Sequence, residues 1–157
     1  MKNKEDLDRW LSLLANFGVI AGIVFLAIEI RQNTEMVQSQ TRDSITEKQI
    51  AIFEWFATST ENIRVREKGD RLELDPGSPE ESQYHWMIAG NLRLWENEWY
   101  QYQQGLFEPE EFEPRVYIWK RMINDAPGIR KVWEMQKGAY SPDFKKLIDS
   151  LINEPEQ

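Results

Sequence analysis

The chain has no cysteine and a single histidine, His85, in 157 residues. Without cysteine there are no disulfides, no thiolate metal ligands and no thiol nucleophile, and the chain suits cytoplasm and periplasm equally. One histidine leaves zinc sites and histidine-activated nucleophiles short of ligands and bases. A di-iron bundle site needs paired Glu-x-x-His elements, whereas Glu81 and His85 are four residues apart and no second histidine exists. The phosphate-cradling patterns GxxxxGKS/T and GxGxxG and the GxSxG nucleophile elbow are missing as well. These residues predict no metal, no cofactor and no catalytic residue, hence a protein that is not an enzyme.

Positive charge is scarce too. There are 19 Lys/Arg against 27 Asp/Glu, a net charge of -8, and residues 31–157 carry 16 against 23. An acidic body is a poor match for a phosphate backbone, so nucleic acid is not an expected partner, nor is broad adhesion to anionic lipid.

From Trp10 to Ile28 charge of either sign disappears. Nineteen residues, WLSLLANFGVIAGIVFLAI, lack a charged side chain on a chain whose mean hydropathy is -0.64. At about 1.5 Å per residue they make a helix of roughly 28 Å, close to the ~30 Å of a bilayer's hydrocarbon core. A cleaved signal peptide calls for a positively biased start and a small-x-small cleavage site; MKNKEDLDR is as acidic as it is basic, and no convincing site follows. A buried helix of a soluble protein is the other alternative, and the all-round apolar surface disfavours it. The expectation is a tail over 1–9, an uncleaved transmembrane helix over 10–30 and a helical domain over 31–154. Lys2, Lys4 and Arg9 before the span, against Arg31 and Arg42 after it, keep the N-terminus inside and send the domain to the outer, periplasmic side.

Ala15, Gly18 and Gly22 share one face of the span, and glycines four apart let two helix backbones approach closely. The alternative is that small residues are simply common in spans. Glu29, beside Arg31, reads as an interfacial residue at the helix exit, and Trp10 as an aromatic anchor.

Beyond the span, no proline or glycine interrupts residues 31–68. A polar stretch passes into IAIFEWF, with Ile45, Ile52, Phe53 and Phe56 at helical spacing, so one helix is predicted from stalk to core and Gly69 is expected to break it. Ser78-Pro79-Glu80-Glu81 is a capped helix start. Ile88, Leu92, Trp95, Trp99, Tyr102 and Leu106 then form an a/d seam. Helices are predicted over 79–104, 109–124, 127–137 and 142–153. RLEL at 71–74 is the only strand candidate, and it is short. The fold class is all-α: a single N-terminal transmembrane helix followed by a small bundle of four to five helices, with tryptophans supplying an aromatic core.

The densest polar-aromatic stretch is LRLWENEWYQYQQGLF at 92–107. Trp95, Glu96, Asn97 and Trp99 form a candidate ligand or partner face, with carboxylates to fix a cation and rings to enclose it. The competing reading makes Glu96 and Asn97 helix caps or partners of Arg115, Arg121 or Arg130, and it is favoured.

ANFGVIAGIVFLAIEIRQNT, LWENEWYQYQQGL, PGIRKVW and the terminal SPDF helix resemble a widespread family of short, uncharacterised bacterial proteins with one N-terminal span and a helical remainder. The resemblance covers most of residues 10–150 and implies a bacterial membrane protein; it brings no activity, cofactor or catalytic residue. The expected function is a single-pass, membrane-anchored interaction or scaffold module. Its expected partners are the lipid bilayer and either a second copy or another membrane protein. The alternative is a small-molecule-sensing or enzymatic domain built around Trp95, Glu96 and Trp99.

Overall fold

The computed structural model describes residues 2–153, and these residues are all-α, with six α-helices, one short 3-10 turn and no strand. The chain divides into two compact units, Met1–Gln40 and Thr41–Gln157. Helix α1 (Lys2–Ala57) spans the division, and the segment Lys2–Arg9 before the apolar run is helical as well. Met1 and residue 154 lie outside the described residues.

Within the first unit, every side chain described from Arg9 to Val37 is exposed. Mean hydropathy reaches 2.4 over eighteen residues of α1, none of them buried. By length and composition this helix can cross a membrane. Past the apolar stretch, Arg31 Nε donates to Glu35 at 2.8 Å across one turn.

The second unit starts with the last turns of α1. Arg42, Ile45, Gln49, Ile52 and Phe56 follow one another at steps of three and four. Ile45 is buried and Ile52 and Phe56 are half-buried, so this stripe docks on the helices that follow. Phe53, expected on the same face, is instead 67% exposed, because it sits one residue off the stripe.

The helix predicted to run on to Lys68 stops at Ala57. Ser59 is the reason: its hydroxyl accepts the Asn62 amide at 3.2 Å and starts α2 (Thr60–Asp70). Asn62 completes the corner, donating from Nδ2 to the Trp55 carbonyl at 3.1 Å and accepting from Gln83 Nε2 at 2.8 Å. It is buried, and all of its side-chain polar atoms are used. Gly69 does not end the preceding helix. It is buried inside α2, where a Cβ would meet the Tyr84 ring at 2.1 Å. Residues 71–74 turn instead of forming a strand. Leu72 takes φ 60°, its amide donates to the Gly69 carbonyl at 3.0 Å, and the Glu73 amide donates to Lys68 at 2.8 Å. That is a Schellman ending with leucine in the position glycine normally takes.

Helix α3 (Pro79–Gln103) opens with a reciprocal cap. Ser78 Oγ accepts from the Glu81 amide at 3.1 Å, and the Glu81 carboxylate accepts from the Gly77 amide at 2.7 Å. At its far end Gly105, at φ 72°, reverses the chain. Helices α4 (Pro109–Asp125), α5 (Pro127–Gln136) and α6 (Pro142–Asn153) each begin on a proline, whose missing amide costs nothing at a first helical position. Pro114 neither delays α4 nor ends it. It lies in the second turn, where the helix goes without one hydrogen bond.

The core is aromatic, but not through every tryptophan. Trp95 stacks on Trp119 with centroids 5.3 Å apart, Phe112 stacks on Tyr102 at 4.2 Å, and Trp133 meets Phe144 edge-on at 6.0 Å. The Trp133 indole also donates to Asp149 at 2.9 Å. Trp86, by contrast, is 72% exposed and Trp55 is exposed as well, since each falls off its helix's apolar stripe.

Candidate functional site

Two sets of residues stand out from the sequence, and the structure treats them differently. Ala15, Gly18 and Gly22 lie on the exposed surface of α1, and a Cβ built at either glycine meets nothing within 4 Å. This part of the first unit is therefore free of steric obstruction.

The second set is spread around α3 (Pro79–Gln103). Successive helical residues point about 100° apart, so Glu96 and Asn97 turn away from the side that Trp95 and Trp99, four residues apart, share. Trp95 is only 6% exposed and is spent on the core stack with Trp119. Glu96 turns outward: Oε1 accepts the Ser141 amide at 2.7 Å, one residue before α6, and Oε2 accepts from Arg93 at 2.6 Å. Burial pushes the Glu96 carboxyl up, but those bonds outweigh it and leave it below the ordinary carboxylate range. Asn97 is half-buried. Trp99 leans on Phe112 at 5.8 Å and Tyr102 at 5.7 Å, and its indole nitrogen is buried without a partner among the described residues.

The residue between them is the unusual one. Glu98 is 0% exposed, and two other helices converge on it. Gln49 of α1 donates to Oε1 at 2.8 Å, and Arg115 of α4 approaches the same oxygen at 3.3 Å. Oε2 has no partner among the described residues, and neither does Nε of Arg115. Burial pushes the Glu98 carboxyl above its ordinary value, against the pull of Arg115 and Gln49. The sequence carried a weak signal: Glu98 falls three residues after Trp95 and directly before Trp99, at the border of the apolar seam.

Beside this triad a half-open groove of about 510 Å³ runs between the end of α1 and helices α3 and α4. Its lining is largely apolar and includes Ile52 and Phe56 of α1, Trp95 of α3, and Ile118, Trp119 and Met122 of α4. The charged side chains lining it are Arg66, Arg115 and Glu111. Glu111 is paired with Arg42, and Arg66 is held by Asp70 at 2.8 Å. A second cavity of about 310 Å³, lined by Tyr84, His85, Trp86 and Met135, lies between α3 and α5. His85 there meets Trp86 edge-on at 5.5 Å. The described residues hold no cluster of three or more potential metal ligands.

Comparison with protein-family models, with characterised proteins and with solved structures finds no match to this chain.

Proposed function

We propose that this protein is a single-pass, membrane-anchored helical interaction module without catalytic activity of its own. In this reading it self-associates or serves as an accessory subunit of a bacterial membrane complex. One observation carries the proposal: an apolar helical stretch of mean hydropathy 2.4 with none of its side chains buried in the fold. Left in water, such a surface would cost about 25 cal/mol per Å², so lipid or another helix has to cover it. The Ala15, Gly18 and Gly22 face supports close helix pairing within the bilayer. The excess of Lys2, Lys4 and Arg9 over the cations that follow supports an inward N-terminus and an outward helical unit.

Cross-linking in native membranes, with the membrane fraction washed in alkaline carbonate, tests this. The expected result is a carbonate-resistant protein that cross-links into dimers or larger species, with Gly18→Ile and Gly22→Ile reducing the cross-linked fraction. A protein released by carbonate, or one that stays monomeric and elutes alone, would overturn the reading. The groove between α1, α3 and α4, which Trp95 lines, supports a second reading, ligand binding.

A further inference from the structure

The groove between α1, α3 and α4 has the chemistry of a binding site, and its lining narrows the ligand class. Its volume of about 510 Å³ falls within the roughly 300–1,000 Å³ typical of small-molecule sites. Two stacked indoles, Trp95 and Trp119, and the aliphatic side chains of Ile52, Ile118 and Met122 form a wall that rewards hydrocarbon. On a chain of net charge -8, this lining carries two guanidiniums against one carboxylate, and each of the three has a partner: Arg66 pairs with Asp70, Arg115 with Glu98 and Glu111 with Arg42.

The two arginines are braced in place. Asp70 holds Arg66 and Glu98 holds Arg115, so neither guanidinium has to be ordered when a ligand arrives. Of the two pairs, Arg115–Glu98 is the longer, at 3.3 Å against 2.8 Å for Arg66–Asp70. Nε of Arg115 is buried without a partner among the described residues. With Glu98, Glu111 and Asp70 all close by, a dianion such as a phosphate monoester is disfavoured relative to a single negative charge.

We propose that this groove binds a monoanionic amphiphile, a long-chain carboxylate, with its head toward Arg115 and its hydrocarbon along Trp95, Trp119 and Met122. This goes beyond the anchoring and assembly reading and does not depend on it.

The test uses the full chain in phosphatidylcholine nanodiscs, with Trp10→Phe removing the indole at the start of the span. The probe is 9,10-dibromostearate, whose bromines quench a nearby indole, and the control is the matching dibrominated alcohol. Saturable quenching by the carboxylate, at least tenfold tighter than by the alcohol, is expected from Trp95 and Trp119. Ile118 is 46% exposed at the groove wall, so either charge can be placed there without burying it. Ile118→Glu should weaken the carboxylate at least tenfold, while Ile118→Lys should leave it unchanged or tighter. Quenching that never saturates, equal affinity for carboxylate and alcohol, or equal loss in both Ile118 variants would each overturn the proposal.

Discussion

Gly128 lies so close to the carbonyl oxygen of Gly69 that a Cβ built on it would be 2.0 Å from that oxygen. The Tyr84 hydroxyl would be 2.6 Å away, so α2, α3 and α5 meet at a point with no room for a methyl group. Because the obstacle at Gly69 is backbone, it cannot swing aside as a flexible side chain would. Gly128→Ala must therefore push two helices apart, at about 3 kcal/mol, the upper end of the usual cost of overpacking. Chemical unfolding in detergent micelles, followed by the near-ultraviolet tryptophan signal, checks this. An unchanged midpoint would mean that the helices do not approach as described.

Glu98 and Arg115 are expected to respond unequally to substitution. Removing Arg115 leaves a fully buried carboxylate with Gln49 as its remaining partner, and breaking a buried pair in this way costs about 3–5 kcal/mol. Arg115→Met should be strongly destabilising, with part of the loss relieved because Glu98 can take up a proton. Glu98→Gln removes the buried charge and keeps a hydrogen-bonding side chain, so it should be nearly neutral or stabilising. Equal losses in the two variants would contradict this account.

The same carboxyl sets a pH dependence. Its value in the folded state is raised above the ordinary 4.5, so just above that value the folded chain holds a proton that the unfolded chain has released. Its contribution to stability is greatest below 4.5 and is lost as pH rises through the raised value. Glu96 and Glu81 are lowered and act in the opposite sense, contributing stability that is lost as pH falls below 4.5. Comparing unfolding midpoints from pH 4.5 to 7, Glu98→Gln should show a smaller decline than the parent chain. A parallel pair of profiles would refute the assignment.

Glu96 ties α3 to the start of α6. Its carboxylate accepts the Ser141 amide while also pairing with Arg93, and hydrogen bonds to a charged group contribute about 1.5–3 kcal/mol. Glu96→Ala should cost about 1.5 kcal/mol, and Glu96→Gln less, since the amide oxygen still accepts from Ser141. Hydrogen exchange in the first turn of α6 is the sensitive readout: it should quicken in Glu96→Ala, and the absence of any change would remove this role.

Much of the fold is legible in the sequence because prolines and serines announce it. Pro79, Pro109, Pro127 and Pro142 mark four helix starts, and Gly105 marks a stop, each for local steric reasons. What escapes sequence reading is set by distant partners. Gly69 looks like a helix breaker but serves the approach of Tyr84 and Gly128, which are remote in the chain. The junction at Ser59 is hidden because the residues around it carry ordinary helical spacing, while Asn62 draws its partners from α1 and α3. The groove was equally invisible, since its lining comes from four helices. Glu98 is only partly legible: it borders the apolar seam between Trp95 and Trp99, but its partners Gln49 and Arg115 come from α1 and α4.

Leu72 offers the clearest case of strain. It holds φ 60° at the end of α2, a conformation in which a Cβ crowds the backbone at a cost of about 1–2 kcal/mol, and its side chain is 51% exposed, so packing returns little. Glycine at this position keeps both closing hydrogen bonds, from residue 72 to Gly69 and from Glu73 to Lys68, because both donors are backbone amides. Against the relief stands the greater freedom of glycine in the unfolded chain, which takes back roughly half of it. Leu72→Gly should therefore raise stability by about 0.5–1 kcal/mol, read as a higher unfolding midpoint. Leu72 also lines the cavity beside His85 and Trp86, so the variant widens that mouth without removing the turn. A lower midpoint would show that the leucine side chain contributes more packing against that wall than its exposure implies.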